Sequence, residues 1–310
     1  MKFQTRTLLA SAAAIALALP AFAAGPLVTP VQLLDMLGEG KVVALDVRRA
    51  GEDKVAPYEK AHIPGSISAP ITAGWMTKRG DVPGMLPDAE KFQDFMRGLG
   101  VDRGEQIVLI YDGSSRSSFN IAHATRAYYT LKSMGHDKVA ILDGGIEGWV
   151  AAGLPVAKTP TAPGAAGTFV ARLDPSMTAT AQDVAAAIGT GVKLVDARPA
   201  KYYKGEAKFP VSKAAGTLPG AASVDANFLM EGGSFKDAAG VTATFASAGV
   251  SPNDTVITFC NTGFLCSAAW FAASEIAGFP NVRAYDGSMS EWTQDESRPV
   301  VVGDGAVAMN

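Results

Sequence analysis

Val42-Val43-Ala44-Leu45-Asp46-Val47-Arg48 has an echo 150 residues later in Leu194-Val195-Asp196-Ala197-Arg198. An apolar β-branched run that stops at Asp-x-Arg reads as a buried strand ending at a charged corner. The echo continues outward in order. His62-Ile63-Pro64-Gly65 answers to Thr217-Leu218-Pro219-Gly220, and Ile107–Tyr111 answers to Val256–Phe259. Leu142-Asp143-Gly144-Gly145, closing at Trp149, answers to Tyr285-Asp286-Gly287-Ser288, closing at Trp292. Four phrases recurring in one order at comparable gaps identify a tandem duplication.

Within each half, short apolar runs alternate with helical patterns, which is the signature of βαβ units and a parallel sheet covered by helices. In the second half, Leu194-Val195 and Val256–Phe259 read as strands, and Ser267 to Ala277 reads as a helix stopped by Gly278 and Pro280. The Pro- and Gly-rich stretch Thr159–Gly167 has the composition of an exposed linker. The expected organisation is a signal peptide over 1–23, a first domain over 27–157, a linker over 158–176 and a second domain over 177–303. The expected class is α/β, with two tandem domains each built on a parallel sheet flanked by helices.

The start of the chain carries Lys2 and Arg6, an apolar run from Leu8 to Leu19, and small residues around Ala21-Phe22-Ala23. That is the pattern of a cleavable export signal, too short to span a membrane. An exported protein, periplasmic and without membrane insertion after cleavage, is therefore expected. Without Lys2 and Arg6 there remain 25 basic and 30 acidic residues, a balance that excludes nucleic acid as a partner. Exported proteins are free to use disulfides, yet only Cys260 and Cys266 are present. Cysteine is not the scaffold, so chemistry is the better reason for at least one of them.

Cys260 follows directly on the strand ending at Phe259 and opens the loop Cys260-Asn261-Thr262-Gly263-Phe264-Leu265-Cys266. Ligands of open parallel sheets bind at the carboxyl ends of strands, where loop amides and a helix N-terminus converge. A loop curled around the Cys260 sulfur, with Gly263 permitting the curl, favours thiolate over thiol. Reading Tyr111 against Phe259 sets Asp112 opposite Cys260, and the first half has no cysteine. The rival phosphatase reading needs an arginine where Cys266 stands and so loses its phosphate clamp. A non-catalytic sulfur carrier or binding protein is the other alternative.

These motifs together resemble the tandem rhodanese family of thiosulfate and 3-mercaptopyruvate sulfurtransferases, over about Val31 to Val301. The resemblance implies an inactive first domain and a catalytic second one. It also implies that Cys260 is the nucleophile, carrying sulfur as a persulfide from a small donor to a thiol or cyanide acceptor with no metal or organic cofactor. Candidate donor-binding residues are Asn261, Thr262, Gly263, Phe264, Leu265, Cys266 and Arg198. For Arg198 a structural ion pair is the competing role, because Arg48 holds the same place in the other half. His62 is the candidate for a relay with the Thr262 hydroxyl. The resemblance divides on substrate. The neutral Asn261-Thr262-Gly263 is closer to mercaptopyruvate enzymes, whereas their carboxylate-binding arginine is replaced by Tyr202. Thiosulfate or a similar small sulfane donor is therefore preferred, with 3-mercaptopyruvate as the alternative.

Overall fold

The computed structural model describes residues 25–50, 56–114 and 118–302. The expected signal peptide lies outside them. Among the described residues, no helix is long and apolar enough to cross a membrane.

The first half runs β1 (Leu27–Val28), α1 (Pro30–Gly38), β2 (Val42–Asp46), α2 (Pro57–Lys60), β3 (Ile67–Ser68), β4 (Thr77–Arg79), β5 (Val82–Met85), α3 (Ala89–Gly98), β6 (Gln106–Ile110), α4 (Ser118–Ser133), β7 (Val139–Leu142) and α5 (Gly145–Ala151). The second runs β8 (Thr178–Ala179), α6 (Ala181–Ala187), β9 (Lys193–Asp196), α7 (Ala200–Tyr203), β10 (Ala222–Ser223), β11 (Met230–Glu231), β12 (Ser234–Phe235), α8 (Ala238–Ser247), β13 (Val256–Phe259), α9 (Phe264–Phe271), β14 (Val282–Tyr285) and α10 (Ser288–Trp292). The main sheets are wholly parallel, ordered β1-β7-β6-β2-β3 and β8-β14-β13-β9-β10, so each strand has a counterpart in the other half. The central strands β6 and β13 are buried over most of their length, as continuous apolar runs in parallel sheets require.

The register corrects one sequence alignment. Asp46 pairs with Ile110, and Asp196 pairs with Phe259. Tyr111, not Asp112, therefore stands where Cys260 stands. The backbone agrees, because Ile146 N–H donates to the Tyr111 carbonyl as Met289 N–H donates to that of Cys260. The two apolar runs differ in length, so matching their ends slipped the pairing by one residue.

Helix α9 starts at Phe264, three residues before the expected Ser267, because Gly263 adopts φ 84° at its N-cap. From Ala272 to Ile276 the winding widens to a π-helix. The helix packs on its counterpart α4, with Tyr128 edge-on to Phe271 and Tyr129 edge-on to Trp270. Both helices are buried on nearly every face, α9 with mostly apolar and α4 with mixed side chains, and one core cluster runs through both halves.

The 158–176 segment is largely exposed, yet it is tied to the first half. Gly167 and Phe169 donate to the carbonyls of Arg97 and Val101, and the Phe169 ring is buried against Phe92 and His136. Trp149 and Trp292 close their halves alike, each indole N–H donating to a carbonyl beyond its helix, that of Pro155 or Pro299.

Candidate active site

The site is built where β13 ends. Cys260 is 1% exposed. Burial pushes its thiol up, but the Cys266 side chain, the amides of Cys266 and Thr262 and the Ser288 hydroxyl donate to the sulfur and bring it down from 9.0 to about 6. At neutral pH the sulfur is a thiolate held by dipoles at the head of α9.

Ser288 was not singled out by its sequence. Among the described residues it is the non-glycine residue with positive φ, at 51°. Its counterpart in the first half is Gly145, at φ 60°. A serine in a left-handed conformation costs on the order of 1–2 kcal/mol that glycine does not. What it gains is placement. Its Oγ lies 3.1 Å from the Cys260 amide nitrogen, whose hydrogen it accepts, 2.9 Å from the Tyr285 carbonyl and 3.8 Å from each cysteine sulfur. The departure from glycine in an otherwise repeated phrase was the signal available.

Arg198 is committed to other partners than a donor. Its guanidinium makes a bidentate pair with Asp196, donates to the Gly216 carbonyl at 2.7 Å and reaches Asn261 Oδ1 at 3.3 Å. Arg48 makes the same pair with Asp46 and donates to the Ala61 carbonyl. Arg198 thus fixes the strand end and, through Asn261, the start of the loop. Asn261 is nearly buried and its carbonyl accepts from Ser290 N–H. Cys266 and Gly263 also face inward, leaving Thr262, Phe264 and Leu265 half-buried at the mouth.

The structure does not bring His62 to Thr262. Its ring stacks on Tyr58, with Nδ1 2.7 Å from the Tyr58 carbonyl and Nε2 3.1 Å from that of Thr159. Its backbone forms a bridge with Ala157, as Thr217 forms one with Val301. A role repeated by the non-histidine counterpart is architectural.

What the first half supplies instead is a wall and a cation. The hairpin of β4 and β5 sets Gly84 so close to the Thr262 carbonyl that a side chain there would collide with it. Reciprocally, Tyr111 in the cysteine's place donates its hydroxyl to the Gly233 carbonyl, in the turn between β11 and β12. Each half's hairpin lies over the other's strand end. Phe119 and His123 of α4 meet Phe264 at the mouth. Burial first, and then the Arg49 charge, lower His123 to about 4, so that it is a neutral ring there.

Arg126, also on α4, is fully buried and pairs with Asp286 at 2.5 Å, while its Nη1 lies 3.4 Å from the Gly263 carbonyl. Burial works against its charge, but Asp286 outweighs burial and holds it protonated. The second oxygen of Asp286 accepts from Leu86 N–H at 2.6 Å. Sequence reading passed over this pair because its members lie 160 residues apart.

A buried thiolate cradled by loop amides at the head of a helix, in a duplicated α/β scaffold, defines a cysteine-dependent group-transfer protein. Comparison with known proteins narrows the class. Residues 29–152 and 180–295 each match the rhodanese-like domain. The chain is 33% identical to a Pseudomonas aeruginosa protein named probable 3-mercaptopyruvate sulfurtransferase, over 90% of this chain and 98% of that one. It is 31% identical to the thiosulfate sulfurtransferase of Gallus gallus, over 76% and 79%. The crystal structure of SseA from Escherichia coli, a 3-mercaptopyruvate sulfurtransferase, superposes with TM-score 0.76 at 29% identity, covering 86% of this chain and 99% of that one. The chain belongs to the rhodanese family and is a tandem-domain sulfurtransferase.

Proposed function

We propose that Cys260 takes sulfur from thiosulfate or a similarly small anionic sulfane donor and passes it to a thiophilic acceptor. The observation that carries the reading is the Cys260 thiolate inside its amide cradle. The thiolate attacks the outer sulfur of thiosulfate, a Cys260–S–S⁻ persulfide forms, and sulfite leaves with the electron pair of the broken S–S bond. Cyanide or a thiolate then attacks the outer sulfur, and the Cys260 thiolate is restored. The amides of Thr262 and Cys266 and the Ser288 hydroxyl oppose negative charge in both steps, so the site needs little reorganisation as charge moves along the S–S axis.

The choice of donor is supported by the segment that follows Asp196-Ala197-Arg198. Tyr202 occupies the clamp position, with the Arg198 guanidinium 6.0 Å and the Lys201 ammonium 5.4 Å from its ring centre. Arg198 is already paired, and a lysine offers a point charge rather than the fork that grips a carboxylate. The second reading, 3-mercaptopyruvate as donor, is favoured by the uncharged Asn261-Thr262-Gly263 loop and by the named activities of the 33% and 30% identical relatives.

The experiment mixes reduced protein with each donor separately and follows intact mass, with Cys260→Ser as control. A gain of one sulfur atom from thiosulfate, removed by cyanide and absent in the serine variant, is the expected result. Loading by mercaptopyruvate alone transfers the assignment to the second reading, and loading by neither refutes both.

Export to the periplasm is proposed on the sequence of residues 1–23 alone. N-terminal sequencing of the natively produced protein is expected to begin near Ala24. An intact Met1 start in the mature protein refutes it.

A further inference from the structure

Cys266 is a buried nucleophilic group that the transfer cycle above leaves unconsumed. It is 1% exposed, in the first turn of α9, with its carbonyl held by the Thr258 hydroxyl at 3.0 Å beside the end of β13. Ser288 Oγ stands 3.8 Å from Cys266 Sγ and 3.8 Å from Cys260 Sγ, so one hydroxyl spans the two sulfurs. Its Sγ also lies 4.0 Å from the Tyr285 carbonyl, and burial first, then the Cys260 sulfur, push the Cys266 thiol well up. It is therefore a protonated thiol one hydroxyl away from the atom that reacts. A second observation points the same way. The Arg126 cation is close enough to favour a Cys266 anion, and its Nε and Nη2 find no hydrogen-bond partner among the described residues. A buried guanidinium with unspent donors beside a buried thiol suits a thiolate that exists only transiently.

We propose that Cys266 resolves the Cys260 persulfide, so that the protein also releases sulfide and cycles through a Cys260–Cys266 disulfide. The inference rests on the persulfide reading given above. Once Cys260 is loaded, the negative charge sits on the outer sulfur, within the same cradle. The Cys266 proton passes to that outer sulfur, leaving a neutral Cys260–S–SH and a Cys266 thiolate beside Arg126. The thiolate attacks Cys260 Sγ, the bond from Sγ to the outer sulfur breaks, and HS⁻ departs with the electron pair. The sulfane sulfur is reduced to sulfide, and the two thiols are oxidised together to the disulfide. A small external dithiol returns the site to the reduced state by thiol–disulfide exchange, becoming a disulfide itself. In the presence of a good acceptor such as cyanide, attack on the outer sulfur competes with resolution, and the protein acts as a sulfurtransferase.

The test loads fully reduced protein anaerobically with thiosulfate, or with 3-mercaptopyruvate if that is the donor it takes, and then removes excess reagent. Released sulfide, remaining free thiols and intact mass are then followed, without and with dithiothreitol. Wild type is expected to release one sulfide per loaded chain, lose both titratable thiols and lose the mass of the added sulfur together with two hydrogens. Dithiothreitol should restore both thiols. Cys266→Ala and the larger Cys266→Ser lose a donor to Cys260 and should load more slowly; once loaded to the end point at pH 9, they are expected to keep the adduct and release no sulfide, with thiocyanate formed on adding cyanide reporting only how much sulfur each chain carried. Sulfide release by either variant as fast as by wild type overturns the proposal, as does a wild-type persulfide that persists with the Cys266 thiol free. Failure of every form to load from either donor overturns the persulfide reading itself, which the cyanide arm separates from failure of resolution alone.

Discussion

Replacing Ser288 by glycine and by alanine separates what the serine does for the sulfur from what it costs the fold. Both changes remove the hydroxyl that accepts from the Cys260 amide and whose one proton is divided between the Tyr285 carbonyl at 2.9 Å and the sulfur at 3.8 Å. An orphaned buried amide costs about 1–3 kcal/mol, equally in the two variants. They differ in the backbone, which sits at φ 51° where the other half has Gly145 at φ 60°. Glycine releases roughly 1–2 kcal/mol of left-handed strain that alanine retains, and about 0.5–1 kcal/mol of this is offset by glycine's freedom in the unfolded chain. Ser288→Gly should therefore be more stable than Ser288→Ala by about 0.5–1 kcal/mol, or roughly 1–4 °C in Tm for a protein of this size. Chemically the two should be alike: without the hydroxyl the Cys260 pKa rises, and loading at pH 6 slows in both. Thermal unfolding and single-turnover loading measure the two effects. A glycine variant less stable than the alanine variant refutes the strain argument, and wild-type loading at pH 6 in either variant refutes the catalytic one.

Loading should follow the thiolate. Because Cys260 is lowered from 9.0 to about 6, the group is neutral below that value and anionic above it; the single-turnover rate should climb through pH 6 and level off by pH 8, and a rate still rising steeply from pH 7 to 9 contradicts the cradle. Arg126→Leu leaves Asp286 buried without its cation, a change worth about 3–5 kcal/mol in denaturant unfolding, and adding Asp286→Leu should recover part of it. An Arg126→Leu variant as stable as wild type shows the pair to be dispensable. Gly263→Ala places a Cβ 2.5 Å from Arg126 Nη1 at φ 84° and should abolish loading, with Asn261→Ala, which keeps the loop backbone, affected far less; equal activity of Gly263→Ala and wild type would show that the curl does not depend on this residue.

The fold was readable because its signals are local. Asp-x-Arg brings strand end and ion pair together within three residues, and both halves show the same bond pattern. The tight loop after β13 was equally legible, since a glycine three residues past the nucleophile marks the turn it takes, at φ 84°. Register was not, because apolar runs of unequal length align equally well at either end, and only the backbone hydrogen bonds to Tyr111 and Cys260 decide between them. Ser288 was hidden for another reason: serine carries no propensity for positive φ, so the conformation comes from packing alone. Arg126 does stand out as a charge beside Ala127, Tyr128 and Tyr129, yet nothing local says what neutralises it.

The half without a cysteine follows from the same geometry and is more than a spacer. With Tyr111 and Gly145 in the positions of Cys260 and Ser288, it has neither the thiol nor the serine hydroxyl. Its Leu86 amide and Arg126 guanidinium nevertheless converge on Asp286, and both Arg126 and Asp286 press against Gly263, the residue that turns the loop around the sulfur. Its Gly84 covers Thr262, and α4 buries Trp270 and Phe271 of the helix whose N-terminus faces Cys260. Cutting the chain at the linker would expose that apolar helix face and leave Asp286 without its cation, so the catalytic half alone lacks both a finished core and a fixed loop. The duplication thus divides its labour. One copy keeps the reactive sulfur, and the other supplies the buried charge and the lid that hold its loop in place.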